Sequence, residues 1–177
     1  AEFEMAAAGS HVDLFLAEGL VRSYSLYQPA AKGDSYRIAV ALEPQGRGGS
    51  NHLFAHVNQG DILEISAPKN YFPLAEESCN TVLVAGGIGV TPLFAMATRL
   101  ASLGKPWELH YAAKTRAGAA FINELRALAD ASDGKVTFSF GDDPDRQRID
   151  LEQVFAQAPQ GTHFYCCGPK RMIDAFV

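Results

Sequence analysis

Three short stretches carry the residue types from which a site for a phosphorylated, planar ligand can be built. The first is Gly86-Gly87-Ile88-Gly89-Val90-Thr91-Pro92, which follows the apolar run Val82-Leu83-Val84-Ala85. An unbroken apolar run reads as a parallel strand buried on both faces, and glycine lets backbone approach a ligand where a Cβ would collide. Thr91 suits a helix N-cap and Pro92 the first helical position. Strand, glycine turn and helix start in succession present free amides and a positive dipole end to an anion, and the pyrophosphate of a dinucleotide is a guest of that kind. The same glycines also suit a tight turn with no ligand, because Pro92 stands where the strict G-x-G-x-x-G fingerprint ends.

The second stretch is Arg22-Ser23-Tyr24-Ser25-Leu26. On a strand, Arg22 and Tyr24 share one face while Ser23 and Ser25 share the other. A cation beside a flat ring suits a planar anionic ligand, with the ring stacking and the guanidinium gripping phosphate. A polar strand edge with one tyrosine is the plainer alternative. The third stretch, Arg47-Gly48-Gly49-Ser50, precedes a short helix pattern and reads either as a second phosphate cradle or as a flexible loop. His52 and His56 stand four apart but have no third ligand in view, so they read as solvated histidines rather than a metal pair. Asp142, Asp143 and Asp145 lack the EF-hand order and read as a charged turn, and Cys79 and Cys166 as structural thiols.

The elements that must position these residues change in kind along the chain. Residues 1–10 are Ala-rich and nondescript. Alternation of Val12, Leu14 and Leu16 with polar neighbours predicts a strand from about His11, a turn at Glu18-Gly19 and a return strand over Leu20–Leu26. A loop follows over Gln28–Asp34, with Pro29 and Gly33, and then strands over Tyr36–Leu42 and Ile62–Ser66. Short strands with little helix predict a small antiparallel barrel over residues 1–75. From residue 76 strands and helices alternate. Leu93, Met96, Ala97, Leu100 and Leu103 form one stripe of a helix from Pro92, closed by Gly104 and Pro106. Strands are expected over Trp107–Ala112, Val136–Phe140 and His163–Cys167. Phe121, Leu125 and Leu128 mark the inner face of a helix, and Asp150 caps another with Gln153 three residues on. Residues 76–177 therefore read as an α/β doubly wound parallel sheet.

Composition bounds the partners. The 177 residues are 47% hydrophobic and 20% charged, ordinary for a core-forming protein, with a formal net charge of −5. That charge argues against a nucleic-acid surface, which needs clustered Lys and Arg. No apolar run reaches the length of a membrane span and no signal-peptide pattern opens the chain. Three cysteines, with Cys166 and Cys167 adjacent, form neither a disulfide framework nor a metal spacing, which fits a reducing cytosol.

Taken together and in order, Arg22-Ser23-Tyr24-Ser25-Leu26, Gly46-Arg47-Gly48-Gly49-Ser50, Asn70-Tyr71-Phe72-Pro73-Leu74, Gly86 to Pro92 and Cys167-Gly168-Pro169 make a series that resembles the ferredoxin–NADP reductase superfamily. It is most similar to the phthalate dioxygenase reductase branch, which includes the vanillate O-demethylase reductases, and the resemblance runs from about His11 to Val177. It implies a flavin-binding barrel followed by an NAD(P)-binding domain. The flavin implied is FMN, with FAD as the alternative. Arg22 would contact its phosphate side, Ser23 and Leu26 would belong to the same holding segment, Tyr24 would pack on the ring and Ser25 would hydrogen-bond near N5. Arg47, Gly48, Gly49 and Ser50 would bind the FMN phosphate.

Gly86, Gly87, Gly89 and Thr91 would hold the dinucleotide, and Cys167, Gly168 and Pro169 would lie near the nicotinamide. Cys167 is then a positioning contact, because hydride transfer between cofactors needs no covalent enzyme intermediate. Lys114 and Arg116, after the second parallel strand, either accommodate a 2′-phosphate or are solvated charges at a helix start. The branch points to NADH, with NADPH as the alternative.

The implied function is a reductase component that passes electrons from NAD(P)H through flavin to a [2Fe–2S] centre, and on to a terminal oxygenase acting on an aromatic compound. The plant-type C-x4-C-x2-C…C spacing that would hold such a cluster is not in this sequence. The cluster is therefore expected on a further domain or on a partner ferredoxin, and the barrel and parallel sheet are expected to be incomplete at the N- and C-terminus respectively. A flavin- or dinucleotide-binding regulatory subunit, and a reductase of free flavin or ferric complexes, are the other readings.

Overall fold

The computed structural model describes residues 4–28 and 35–177, so the loop expected over Gln28–Asp34 lies outside the described residues from Pro29 onward. The chain divides into two compact units, residues 1–73 and 74–177.

In the first unit, β1 (His11–Phe15) pairs antiparallel with β2 (Val21–Gln28), joined by a 3-10 turn at Ala17–Gly19. β3 (Arg37–Ile38), helix α1 (Gly49–His56) and β4 (Glu64–Ile65) follow, and the sheet order is β3-β2-β1-β4. Because opposed residues share a face, the register Val12↔Tyr24 and Leu14↔Arg22 puts Arg22 and Tyr24 on the core side of β2. Val12, Leu14, Leu16 and Leu26 are the buried centre of that core, and Leu53 of α1 and Ile65 of β4 pack against it.

The strands expected over Tyr36–Leu42 and Ile62–Ser66 shrink to two paired residues each. At β4 the cause is visible. The Asp13 amide donates to the Ser66 hydroxyl at 3.0 Å instead of to a backbone carbonyl, which ends the regular ladder at Ile65. Ile62 is 98% exposed, an apolar residue outside any pattern.

Residues 8–10, read as nondescript, are an integral part of this unit. Ala8 and Ser10 are buried, the Ser10 carbonyl accepts the Leu26 amide at 2.9 Å, and the Ala8 carbonyl accepts Asn70 Nδ2 at 3.1 Å. Gly9 has φ +93°, and a Cβ there would run into the Phe72 carbonyl oxygen and lie 3.2 Å from Asn70 Oδ1.

The second unit alternates β5 (Thr81–Gly86), α2 (Val90–Ser102), β6 (Trp107–Ala113), α3 (Ile122–Asp130), β7 (Gly134–Phe140), α4 (Leu151–Gln157), β8 (His163–Cys167) and α5 (Lys170–Phe176). All four strands are parallel in the order β7-β6-β5-β8, as the doubly wound pattern requires. Every residue of β5 is buried, which accounts for its uninterrupted apolar run. Leu93, Met96, Ala97 and Leu100 of α2 are fully buried, each worth about 1.5–3 kcal/mol where a large side chain leaves water. Leu103 departs from the stripe: it is the C-cap of α2 and 37% exposed. Asp150 Oδ1 accepts the Gln153 amide at 3.0 Å, the expected cap of α4.

Phe121 does not lie on α3. It precedes the helix at φ 62° and stacks on Phe94 of α2 with centroids 4.7 Å apart.

Replacing Gly9 by Ala is expected to destabilise the first unit by about 1–3 kcal/mol, through its left-handed backbone and the Phe72 carbonyl in the way. Urea unfolding checks this, and an unshifted midpoint would show that the Phe72 segment yields at no cost.

Candidate functional site

Doubly wound sheets bind ligands at the carboxyl ends of the strands, where the winding reverses. Here the chain moves outward from β5 through β6 to β7, then returns to lay β8 on the other side of β5. The reversal falls between β5 and β8, and their C-terminal turns are Gly86–Gly89 and Cys167–Pro169.

These turns are in close backbone contact. A Cβ on Gly86 would lie 2.5 Å from Pro169 Cδ and 2.9 Å from Met172 Sδ, and one on Gly168 would lie 3.0 Å from Gly86 Cα. A Cβ on Gly89 would overlap the Cys167 carbonyl and lie 2.8 Å from the Gly168 nitrogen. Gly87 differs, having φ +56° with nothing within 4 Å of the missing Cβ. Gly86 and Gly89 are therefore required by the neighbouring turn, and Gly87 is the glycine that faces open space.

The helix start also differs from expectation. Gly87–Gly89 form a 3-10 turn that runs straight into α2, so the N-cap is Gly89, Thr91 is the second helical residue and Pro92 the third. The Thr91 hydroxyl donates to the Ile88 carbonyl at 2.7 Å and caps nothing. No side chain caps α2 and no acid occupies its first turn; the Val90 amide is already taken by the Gly87 and Ile88 carbonyls of the 3-10 turn, so what the helix start offers an anion is chiefly its unneutralised dipole end. A left-handed glycine with free space before it, leading to an uncapped helix start, fits a dinucleotide phosphate. Burial raises the Cys167 thiol and pushes Cys166 up to about 11, so neither sulfur is a thiolate near neutrality. Cys167 contributes its backbone and shape to the crevice.

In the first unit the structure brings Arg22, Tyr24 and the 47–49 loop together. Arg22 Nη2 donates to the Arg47 carbonyl and Nη1 to the Val21 carbonyl at 2.7 Å. A Cβ on Gly49 would lie 2.5 Å from Arg22 Cγ and 3.2 Å from the Tyr24 hydroxyl. Burial raises the Tyr24 phenol, and the Arg22 charge opposes it. Gly48, at φ +86°, is the N-cap of α1, which again has no side-chain cap and no acid in its first turn. The Ser50 hydroxyl accepts the Glu43 amide at 3.1 Å and so fastens the loop to its own preceding segment. An arginine, a half-buried ring and an open helix start on one face fit a phosphorylated aromatic group.

Other expected residues stand apart from that cluster. Ser23 and Ser25 lie on the opposite side of β2, and the Ser23 hydroxyl donates to Asp13 Oδ1 at 2.5 Å. Lys69, 2.6 Å away, and Ser23 hold the Asp13 carboxyl below its usual range. Leu26 is fully buried, so its side chain serves the core and not a ligand. His52 and His56 approach to 5.0 Å between ring centroids, and among the described residues no cluster of three or more His, Cys, Asp or Glu could hold a metal. Among them, too, no helix is long and apolar enough to cross a membrane.

Lys114 is exposed after β6, whereas Arg116 is engaged by Asp142, Asp143 and Phe140. Sequence reading missed this grouping and also Met172 beneath Gly86. The first was detectable, since ending β6 and β7 in register sets residues 114–116 beside 141–143. Nothing in the spacing announced the second.

An antiparallel sheet followed by a doubly wound sheet, each with a glycine-led open helix start, defines a two-unit nucleotide-handling protein. Residues 83–177 match the oxidoreductase NAD-binding domain family, and the chain belongs to it. It is 46% identical over 169 residues to the phenoxybenzoate dioxygenase subunit beta of Ectopseudomonas oleovorans, covering 96% of this chain and 51% of the relative. It is 41% identical to the vanillate O-demethylase oxidoreductase of Pseudomonas sp. (strain HR199 / DSM 7063), over 92% of this chain and 50% of that one. Phthalate dioxygenase reductase, described as a modular structure for electron transfer from pyridine nucleotides to [2Fe–2S], superposes with a TM-score of 0.85 at 34% identity, covering 99% of this chain and 54% of that one. The resemblance read from the motifs is thus borne out. The chain spans about half the length of the curated relatives it matches.

The two kinds of glycine should separate experimentally. Gly87→Ala is expected to cost about 1–2 kcal/mol, the ordinary price of a left-handed non-glycine residue. Gly89→Ala should cost more, because backbone must move. Thermal unfolding of the two variants checks the order, and equal midpoints would refute the packing role of Gly89.

Proposed function

We propose that this chain is the flavin- and NAD(P)H-binding part of an oxygenase reductase, carrying electrons from a reduced nicotinamide dinucleotide through FMN toward a [2Fe–2S] centre and a terminal oxygenase. The observation that carries this reading is the pair of glycine turns at the carboxyl ends of β5 and β8, where Gly87 leaves open space before a helix start that no side chain caps. The relatives' names, which are those of dioxygenase and O-demethylase components, support the electron acceptor. The [2Fe–2S] centre would reside on a further domain or a partner, where the described spacing of cysteines does not reach. The free thiols Cys79, Cys166 and Cys167 suit a reducing, cytoplasmic setting.

In this reading each residue has a limited task. Arg22 and the amides at the start of α1 would neutralise a phosphate, and Tyr24 would offer its ring. The phosphate cradle at α1 suits FMN, and FAD would need further contacts to its AMP half. Gly87 and the start of α2 would take the pyrophosphate. Cys167, Gly168 and Pro169 would shape the nicotinamide end, with the Cys167 sulfur protonated. Ser25 remains a proposed flavin contact although it lies across the strand from Tyr24. When bound, the flavin supplies the conversion of one hydride into two single electrons.

Anaerobic titration of the FMN-loaded protein with NADH, followed by visible absorption, tests the reading. Bleaching of the flavin band is expected. A flavin spectrum that neither NADH nor NADPH changes would favour a binding subunit, and failure to retain any flavin would overturn the assignment.

Arg22→Ala should weaken flavin binding about tenfold or more, as loss of a charge-assisted phosphate contact does. Its unfolding midpoint should shift little. Unchanged flavin affinity in a fluorescence titration would remove Arg22 from the site.

A further inference from the structure

In dinucleotide sites of this topology, the end of the second strand meets the adenosine ribose. An acid there binds the 2′-hydroxyl, while an arginine nearby accommodates a 2′-phosphate. In this chain β6 is that strand, and Lys114 and Arg116 follow it. Read as isolated letters, these cations suit the phosphate. The structure places them differently.

The register Ala113↔Phe140 ends β6 and β7 level with each other, and the Gly141 amide donates to the Ala113 carbonyl at 2.9 Å. The turn after β7 therefore lies against residues 114–116. The Asp142 carboxylate accepts the Arg116 backbone amide, at 3.0 Å to Oδ1 and 3.3 Å to Oδ2. Asp143 Oδ2 accepts Arg116 Nη2 at 2.8 Å. The guanidinium lies 4.4 Å from the centroid of the fully buried Phe140 ring. Arg116 is thus held at its backbone, at its fork and on its flat face.

We propose that Asp142 and Asp143 are specificity-determining residues of the dinucleotide site: by holding Arg116 they withhold the guanidinium that a 2′-phosphate would need, so the site favours the coenzyme that lacks this phosphate. The proposal rests on the reading of the β5–β8 crevice as a dinucleotide site. A 2′-phosphate reaching Arg116 would displace one carboxylate and meet the charge of both. Lys114 remains exposed, but an ammonium is a compact, strongly hydrated charge and not a fork that matches a phosphate. The Arg116–Asp143 pair is itself half exposed, so discrimination of about tenfold, rather than thousandfold, is expected.

Equilibrium binding of NAD+ and NADP+ to the full chain by isothermal titration calorimetry, at one fixed ionic strength, tests this without depending on turnover. The wild type should bind NAD+ about tenfold more tightly than NADP+. D142N/D143N should shift the ratio of the two dissociation constants about tenfold toward NADP+, and adding R116A should abolish that shift. If the double variant binds neither, D143N is read instead, since it leaves the Asp142 contact to the Arg116 backbone in place.

A wild type that binds NADP+ as tightly as NAD+ would overturn the proposal, as would a ratio that the Asn substitutions leave unchanged. A shift that survives R116A would also overturn it, and would move the selectivity to Lys114, Arg146 or Arg148. Binding of neither dinucleotide to the wild type would overturn the dinucleotide reading itself, and with it the proposal. That outcome is distinguishable because both constants are lost, and not only their ratio.

Discussion

The contact between the β5 and β8 turns is the constraint on which the second unit depends. Parallel strands in a sheet are about 4.8 Å apart, and the turns that leave them normally diverge with their helices. Here they stay together, because Gly86, Gly89 and Gly168 present no Cβ and backbone meets backbone, Pro169 and the Met172 thioether. That closeness fixes where α2 begins and where α5 departs. It also leaves Gly87 as the one member of the glycine group turned toward free space. The two turns are rigid where they meet and carry no side chain at Gly87, which is the division of labour a phosphate site needs.

The first unit solves a related problem with different parts. Its sheet is small, and its longest strand, β2, serves two ends of the same face: Leu26 is sealed in the core, while Arg22 and Tyr24 meet the glycine loop at the start of α1. Both α1 and α2 start without a side-chain cap or an acid in the first turn. A helix start usually satisfies its amides with Ser, Thr, Asp or Asn. Starting two helices without a capping side chain or an acid leaves both dipole ends unneutralised and available to anions.

Much of this was readable from the sequence, and the failures have definite causes. Alternating strand and helix patterns, the fully apolar β5 and the Asp150 cap depend on local periodicity and capping chemistry, which letters carry. Tyr36–Leu42 and Ile62–Ser66 looked like full strands because apolar letters alternate there. At the C-terminal end of β4 the pairing is cut short by a tertiary substitute, the Ser66 hydroxyl, which no periodicity reveals. Thr91 had the right residue type for a cap, but a 3-10 turn moved the helix start one residue ahead of it. At the candidate site, residue types were legible and partnerships were not. Ser23 faces away from Arg22 and Tyr24, Leu26 shares their face but is sealed in the core, and Arg116 looked free until Asp142 and Asp143 were placed beside it.

The segment around Gly9 is fastened to residues 69–72, far along the first unit. His11 and Lys69 exchange backbone hydrogen bonds of 2.9 Å in both directions, Asn70 reaches back to Ala8, and Gly9 makes way for Phe72. Two stretches far apart in the sequence are therefore held side by side within this unit. Closing a loop of that length costs conformational entropy once, and everything between the two stretches then shares the closure. In this chain the closing of the unit is thus a property of one small crossing, held by a glycine without room for a methyl group.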